Sequence, residues 1–358
     1  FGPDGTLGWR YDLDSGLNSL ACTGDGRLIA ASYLKTAFLD GDGKLLRELE
    51  KKPNFFFTCT RQGRMAYGVW DGFPVSFDEK GQERWVGSVY GRRAYFCACS
   101  PDGQVVAIAH AHMPYDDGQP QQESDDEYVT CLDSKGQERW TRCLGEGEAV
   151  NALAVSPAGD IWVGTFYHLH CFHGPKRTEW KMPMGKESGV HALAIAAEGA
   201  VAGVQDGRVL RLSLGGPSGG RPSVLWDQKV ESRLFEVAYD PVRDETWAAG
   251  RQLHCLGPDG TILWQYDLGV PVDSLTCAPS AGIILAAGED GKVHLIRDRA
   301  CFAAYYIAGG RLRQVSVAPS TIDALLRRLH HEDPALRRQA AEELGRRKEE
   351  EAAEALAH

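Results

Sequence analysis

Residues 168–173, HLHCFH, place four metal-ligating side chains within six positions. On a strand, His168 and His170 share one face while Cys171 and His173 share the other, so at most two can meet one ion unless ligands arrive from elsewhere. Structural zinc normally takes four. His170 also occupies the repeat position held elsewhere by His254 and His294, which favours packing over coordination, and no metal is expected. A second cluster, His110, His112, Asp116 and Asp117, borders the segment 112–127, which adds Glu123, Asp125, Asp126 and Glu127. The D-x-[DN]-x-[DN]-G spacing of a calcium loop is absent. The segment reads as a solvated acidic loop, with docking of a basic partner as its functional alternative. No Walker loop, H-E-x-x-H or paired-Cys metal motif is present, and neither a catalytic residue nor a cofactor is expected.

The elements that position these residues are repeated. KGQERW stands at 80–85 and again at 135–140. Following the Trp85 and Trp140 position along the chain gives Trp9, Arg47, Trp85, Trp140, Trp180, Trp226, Trp264 and Phe302, at intervals of 38, 38, 55, 40, 46, 38 and 38 residues. The two longest intervals contain visible insertions, at 112–127 and 215–223. Within a period, four short apolar-alternating runs are separated by Gly, Pro and Asp. In residues 137–173, QERWTRCL, EAVNALAVS, DIWVGTF and YHLHCFH are the four. This is an all-β meander, and four-stranded units repeated about an axis form a β-propeller.

One position in the run expected innermost holds Ala21, Thr58, Ala98, Ala154, Ala194, Ala238, Thr276 and Ser316, all small, beside bulky Leu20, Phe57, Leu153, Leu193 and Leu275. Converging blades leave little room on one face of the innermost strand. In the hexapeptide KGQERW, KG is expected to supply the hairpin turn into the outermost strand and Trp to pack that strand across the inter-blade core. Through LDSKGQERW, FDEKGQERW and LGPDGTILW the chain resembles quinoprotein-type (pyrroloquinoline-quinone-like) propeller repeats, and it is distantly similar to tryptophan-aspartate repeat propellers. The resemblance covers residues 1–320 and implies an all-β propeller; seven complete sets of inner to third strands make it seven-bladed, with eight blades as the alternative because outermost and innermost strands each have eight candidates. Residues 1–13 are expected to close the ring, and 301–320 to add one outermost and one innermost strand. The family's enzymes hold a quinone and calcium centrally, many beside a vicinal Cys pair. Here Cys97 and Cys99 are not adjacent and no ligand set carries over, which leaves a quinone- or metal-dependent oxidoreductase as the alternative function.

After Ser320 the pattern turns helical. Asp333 can cap a helix that Pro334 begins, with Leu336, Ala340 and Leu344 on one face. DPALRRQAAEELG resembles a HEAT-type repeat, making residues 321–358 a short HEAT-like helical hairpin that needs the propeller, a partner or further repeats to cover it.

Composition narrows the function. A net charge of −10 argues against direct nucleic-acid contact, and no apolar run is long enough to cross a bilayer. Ten cysteines, mostly in apolar runs, behave as small buried hydrophobes in a chain too large for a disulfide scaffold, as expected of a cytoplasmic protein. The expected function is a non-catalytic interaction or sensing module that binds a protein partner within a larger assembly. Connections between second and third strands fall on one face, where Tyr33, Trp70, Tyr115, Phe166 and Tyr167 lie with the acidic Asp116, Asp117, Asp125 and Asp126. Aromatic rims of this kind are frequent hot spots. Asn18, Asn151, His191 and Asp273, at equivalent positions, would line a channel mouth and suit a small-molecule sensor as a further alternative.

Overall fold

A computed structural model describes residues 17–22, 28–32, 35–40, 44–50, 58–59, 65–70, 72–78, 80–87, 92–112, 115–116, 119–120, 126–173, 179–185, 188–215, 220–230, 233–267, 271–278, 283–288, 293–297, 303–308 and 311–316. Every described regular element is a strand. The first sheet contains β1 (Leu17–Cys22), β2 (Leu28–Ser32), β3 (Lys35–Leu39) and β4 (Leu45–Glu50), and the second β5 (Thr58–Cys59), β6 (Met65–Trp70), β7 (Phe73–Asp78) and β8 (Glu83–Val86). The third orders β9 (Arg92–Cys99), β10 (Val105–His112), β13 (Asp126–Asp133) and β14 (Glu138–Glu146), while β11 (Tyr115–Asp116) and β12 (Gln119–Pro120) pair separately. The fourth contains β15 (Val150–Val155), β16 (Ile161–Thr165), β17 (His168–Phe172) and β18 (Glu179–Pro183), and the fifth β19 (Val190–Ala196), β20 (Gly199–Val204), β21 (Arg208–Gly215) and β22 (Gly220–Lys229). The sixth contains β23 (Leu234–Asp240), β24 (Glu245–Gly250), β25 (Gln252–Leu256) and β26 (Ile262–Asp267). The seventh contains β27 (Val272–Ala278), β28 (Ile283–Gly288), β29 (Val293–Arg297), β30 (Ala303–Ala308) and β31 (Arg311–Ser316). The chain divides into two compact units, 1–202 with 213–223, and 203–212 with 224–358.

Burial explains the composition of each strand. Second strands are covered on both faces: β16, β20 and β24 are buried throughout, which is why they read as continuous apolar and small residues rather than alternating ones. Outermost strands are the reverse. In β14 the charged Glu138, Arg139 and Arg142 face solvent and Trp140 is buried; charge along an edge strand also blocks pairing with another chain. The small column of innermost residues meets the bulky one across neighbouring sheets: Ala98 shares a cluster with Leu153, and Ala238 with Leu275.

Ser316 is a correction. Strand β31 pairs antiparallel with β30 as a fifth strand of the seventh sheet, instead of opening another innermost strand. Only Gly309 and Gly310 separate the two, a connection short enough for a tight hairpin and too short for a crossing to another sheet. The expected closing strand at 1–13 and the helical hairpin at 321–358 lie outside the described residues.

The repeated hexapeptide has a reciprocal use. Gly81, Gly136 and Gly260 have φ of +72°, +80° and +83°, which favours glycine, and a Cβ there would lie 2.8 Å from Phe38, Trp85 and Trp226 respectively. Each of these turns thus lies under an aromatic ring of the preceding sheet. The indoles are also tied down: Trp85 Nε1 donates to Ser134 O at 3.1 Å and Trp226 Nε1 to Pro258 O at 2.8 Å. Asp133 Oδ1 accepts from the amides of Lys135 and Gln137 at 2.8 and 2.9 Å, shaping the turn, and Asp78 does the same for Lys80 and Gln82. Gly136→Ala is therefore expected to lower unfolding free energy by roughly 2–4 kcal/mol, from left-handed strain and displacement of the indole. Urea denaturation measures it; a loss below about 0.5 kcal/mol, the scale of an indifferent surface change, would refute the contact.

A second repeated device lies at the start of the innermost strands. The register of Leu17 and Ser19, Val150 and Ala152, Leu234 and Glu236, and Val272 and Ser274 skips one residue each time against the second strand. Asn18, Asn151, Phe235 and Asp273 are the extra residues, and Tyr95 is the extra residue of β9. Such bulges re-aim a side chain and end regular pairing.

Candidate functional site

Three of the residues expected at a channel mouth, Asn18, Asn151 and Asp273, are these bulge residues. His191 follows Val190 at the offset by which Asn151 follows Val150. Asn151 Nδ2 is buried without a hydrogen-bond partner among the described residues. His191 meets the Phe166 ring edge-on, with centroids 6.3 Å apart, so residues that the sequence assigned to separate groups are neighbours here.

Phe166 and Tyr167 form the turn between β16 and β17, the connection from second to third strand. Their exposures are 41% and 45%, and Phe73, which opens β7 at the equivalent connection, is 47% exposed. Phe73 pairs with Trp70, the last residue of β6; it is an aromatic that the sequence reading passed over because it follows the turn. The Thr165 hydroxyl accepts from the amides of Tyr167 and His168 at 3.3 and 2.9 Å, and Tyr167 O accepts from Met184 N at 2.8 Å. The turn is thus braced from below while its rings face outward. Tyr115 and Asp116 form β11, paired with Pro120 and Gln119, so the insertion between β10 and β13 builds a small hairpin of its own. Asp126 opens β13 opposite Glu146. Tyr33, Asp117 and Asp125 lie outside the described residues.

The acidic segment joins the framework through Glu127. Tyr95 Oη donates to Glu127 Oε2 at 2.6 Å and accepts from Val150 N at 3.2 Å, tying the bulge of the third sheet to the start of the fourth. Burial raises the Glu127 carboxyl pKa against the lowering effect of the Tyr95 bond. His110 is accounted for by packing: its Nε2 lies 2.7 Å from Thr130 Oγ1 and its ring stacks on Tyr128.

HLHCFH splits between two faces, as alternation requires. His173 Nδ1 meets Asp160 Oδ1 at 2.9 Å, and Cys171 Sγ lies 3.7 Å from His173 Nε2; burial pushes the Cys171 thiol pKa far up, leaving it protonated. On the other face the structure supplies a residue the sequence reading missed. Glu148, 5% exposed, contacts His168 Nδ1 through Oε1, lies 3.9 Å from His170 Nε2 through Oε2, and accepts from Lys181 Nζ at 3.0 Å. Thr165 Oγ1 donates to Oε2. Burial raises the Glu148 pKa, but the bonds from Thr165 and Lys181 and the charges of His168 and Lys181 outweigh it, holding the carboxyl below its usual range. Glu148 heads the run EAVNALAVS in the sequence, but the strand begins only at Val150, which leaves Glu148 in the loop before it. By contrast His254, in the His170 position of the sixth sheet, is buried and lowered to about 4 by loss of solvent, as a neutral packing residue is.

Successive four-stranded antiparallel sheets, second strands buried on both faces and bulged innermost strands define an all-β protein of the β-propeller type. Solved structures agree. A chain in the crystal structure of the mitotic checkpoint complex, a tryptophan-aspartate repeat propeller, is similar with a TM-score of 0.61 at 13% identity, covering 79% of this chain and 87% of that one. BamB from Moraxella catarrhalis, a pyrroloquinoline-quinone-like propeller, is similar with a TM-score of 0.56 at 17% identity, covering 82% and 87%. These identities establish likeness of fold alone. The HEAT repeats family matches residues 297–358, a range that takes in strands β30 and β31 as well as the segment read as helical. No curated protein matches the chain significantly.

Proposed function

We propose that the chain is a non-catalytic, seven-bladed propeller with a HEAT-like tail, acting as a docking platform for a protein partner within a larger assembly. The observation that carries this reading is the exposed Phe166–Tyr167 turn, braced by Thr165 and Met184, together with the equivalent connection of the second sheet, which exposes Phe73. Rigid, outward aromatics give large contact area at small entropic cost. Membership of the structurally similar chain in a mitotic checkpoint complex supports the use of this fold for assembly. Trp70, Tyr115 and the acidic Asp116 and Asp126 extend the same set of connections, favouring a partner with a basic rim.

Affinity purification from the native host followed by calorimetry with the captured partner tests the reading. Phe166→Ala and Tyr167→Ala should each weaken binding by roughly tenfold or more with an unchanged melting temperature. Replacing 116–125 by a Gly-Ser turn, which leaves Glu127 on Tyr95, should slow association most at low salt, since charge acts mainly by steering. Wild-type affinity in all three variants would move the binding surface elsewhere.

A further inference from the structure

We propose that Glu148, His168 and His170 bind one divalent transition-metal ion of the zinc type, a site that stands independently of the partner-binding reading. One donor atom from each of the three residues lies within 4.8 Å of the other two. His168 and His170 are fixed two apart on the same face of β17, and Glu148 reaches them from the loop that precedes β15. Two imidazole nitrogens with one carboxylate suit zinc and its neighbours; calcium and magnesium require oxygen donors in greater number. Three protein ligands leave a coordination position for water, and the partly exposed His168 gives the ion access. The Thr165 hydroxyl on Glu148 Oε2 is the kind of outer contact that orients a ligating carboxylate.

The repeat provides an internal comparison. Val150 pairs with Thr165 as Leu234 pairs with Gly250, and His170 pairs with Val163 as His254 pairs with Ala248. In that alignment the counterparts of Glu148, His168 and His170 are Ser232, Gln252 and His254. A packing role for the histidine column therefore explains His170 but neither Glu148 nor His168. Lys181 is the competing cation. Its Nζ sits 3.0 Å from Glu148 Oε1, yet its side chain is 38% exposed and can swing into solvent when the ion takes over the carboxylate charge.

Zinc titration of the chelator-stripped full chain by calorimetry, with visible absorption of the cobalt-substituted protein, tests the site. One equivalent should bind, and cobalt should give the bands of four- or five-coordination. Glu148→Gln and His168→Ala should weaken binding by about tenfold or more. Lys181→Met should tighten it roughly fivefold, the scale of one ion pair removed; this exposed substitution keeps the test valid if the buried variants unfold. The absence of saturable one-to-one binding would overturn the site, as would equal zinc affinity in wild type, His168→Ala and Lys181→Met, which is the behaviour of adventitious binding.

Discussion

Trp140→Ala should lose roughly 3–5 kcal/mol of unfolding free energy, the cost of a large-to-small change in a packed core, without altering the exposed binding turn. Trp140 is 8% exposed although it belongs to an outermost strand whose charged residues face solvent. Its ring packs 5.6 Å from Phe172 of the next sheet, with the Arg142 guanidinium 5.6 Å from its centroid on the solvent side. It also shares a cluster with Val150, Ile161 and Val163 of that sheet, so truncation opens a void between two sheets rather than at a surface. Equilibrium urea denaturation measures the loss; a value under about 1 kcal/mol, the scale of an exposed site, would show that the indole contributes little. The contrast with Phe166→Ala, expected to be stability-neutral, separates rings that hold sheets together from rings that face outward.

Asp244→Ala is the second large effect, at roughly 3–5 kcal/mol, because it strands a buried guanidinium. Arg211, 4% exposed, meets Asp244 Oδ1 through Nη2 at 2.7 Å and lies 5.4 Å over the Tyr239 ring, whose hydroxyl donates to the same oxygen at 2.6 Å. Asp244 adopts φ of +55°, a conformation that Asp tolerates better than Ala does. Arg211→Met should cost only about 1 kcal/mol, since an apolar side chain of similar length removes both the charge and its need for a partner. Equal losses in the two variants would contradict this asymmetry. Burial raises the Asp244 pKa, but the Tyr239 bond and the Arg211 charge lower it further. The pair's contribution is therefore complete above the ordinary carboxylate range and is lost as pH falls through the depressed folded-state value.

Much of this architecture is legible in the sequence because it is written several times. The recurrence of Trp near a period of 38 residues and the small innermost residues led to four-stranded units, and the sheets follow those boundaries closely. Ser316 misled because its local pattern matches an innermost strand, whereas pairing is decided by the length of the connection before it. The bulges at Asn18, Asn151 and Asp273 were visible only as polar residues at equal spacing; that they are extra residues is a property of register, which needs the neighbouring strand. Glu148 was illegible for a different reason. It stands outside the strands and apart from HLHCFH in sequence, so only tertiary packing brings its carboxylate to His168. Phe73 was legible, since it stands one residue past Gly72 and opposite Trp70 at the same connection.

The aromatic-over-glycine contact has a genetic consequence. The second sheet carries both halves of the joint: a glycine turn at Gly81 that receives the ring of the unit before it, and a ring, Trp85, for the turn of the unit after it. An in-frame duplication of one period therefore delivers a copy that mates on both sides at once, with no compensating substitution elsewhere. The two matching pieces are copied together and need not evolve separately. Where a copy has drifted, as at Arg47, the glycine of the following unit is covered from the adjacent strand by Phe38, so a lost ring is made good locally while the receiving turn is kept.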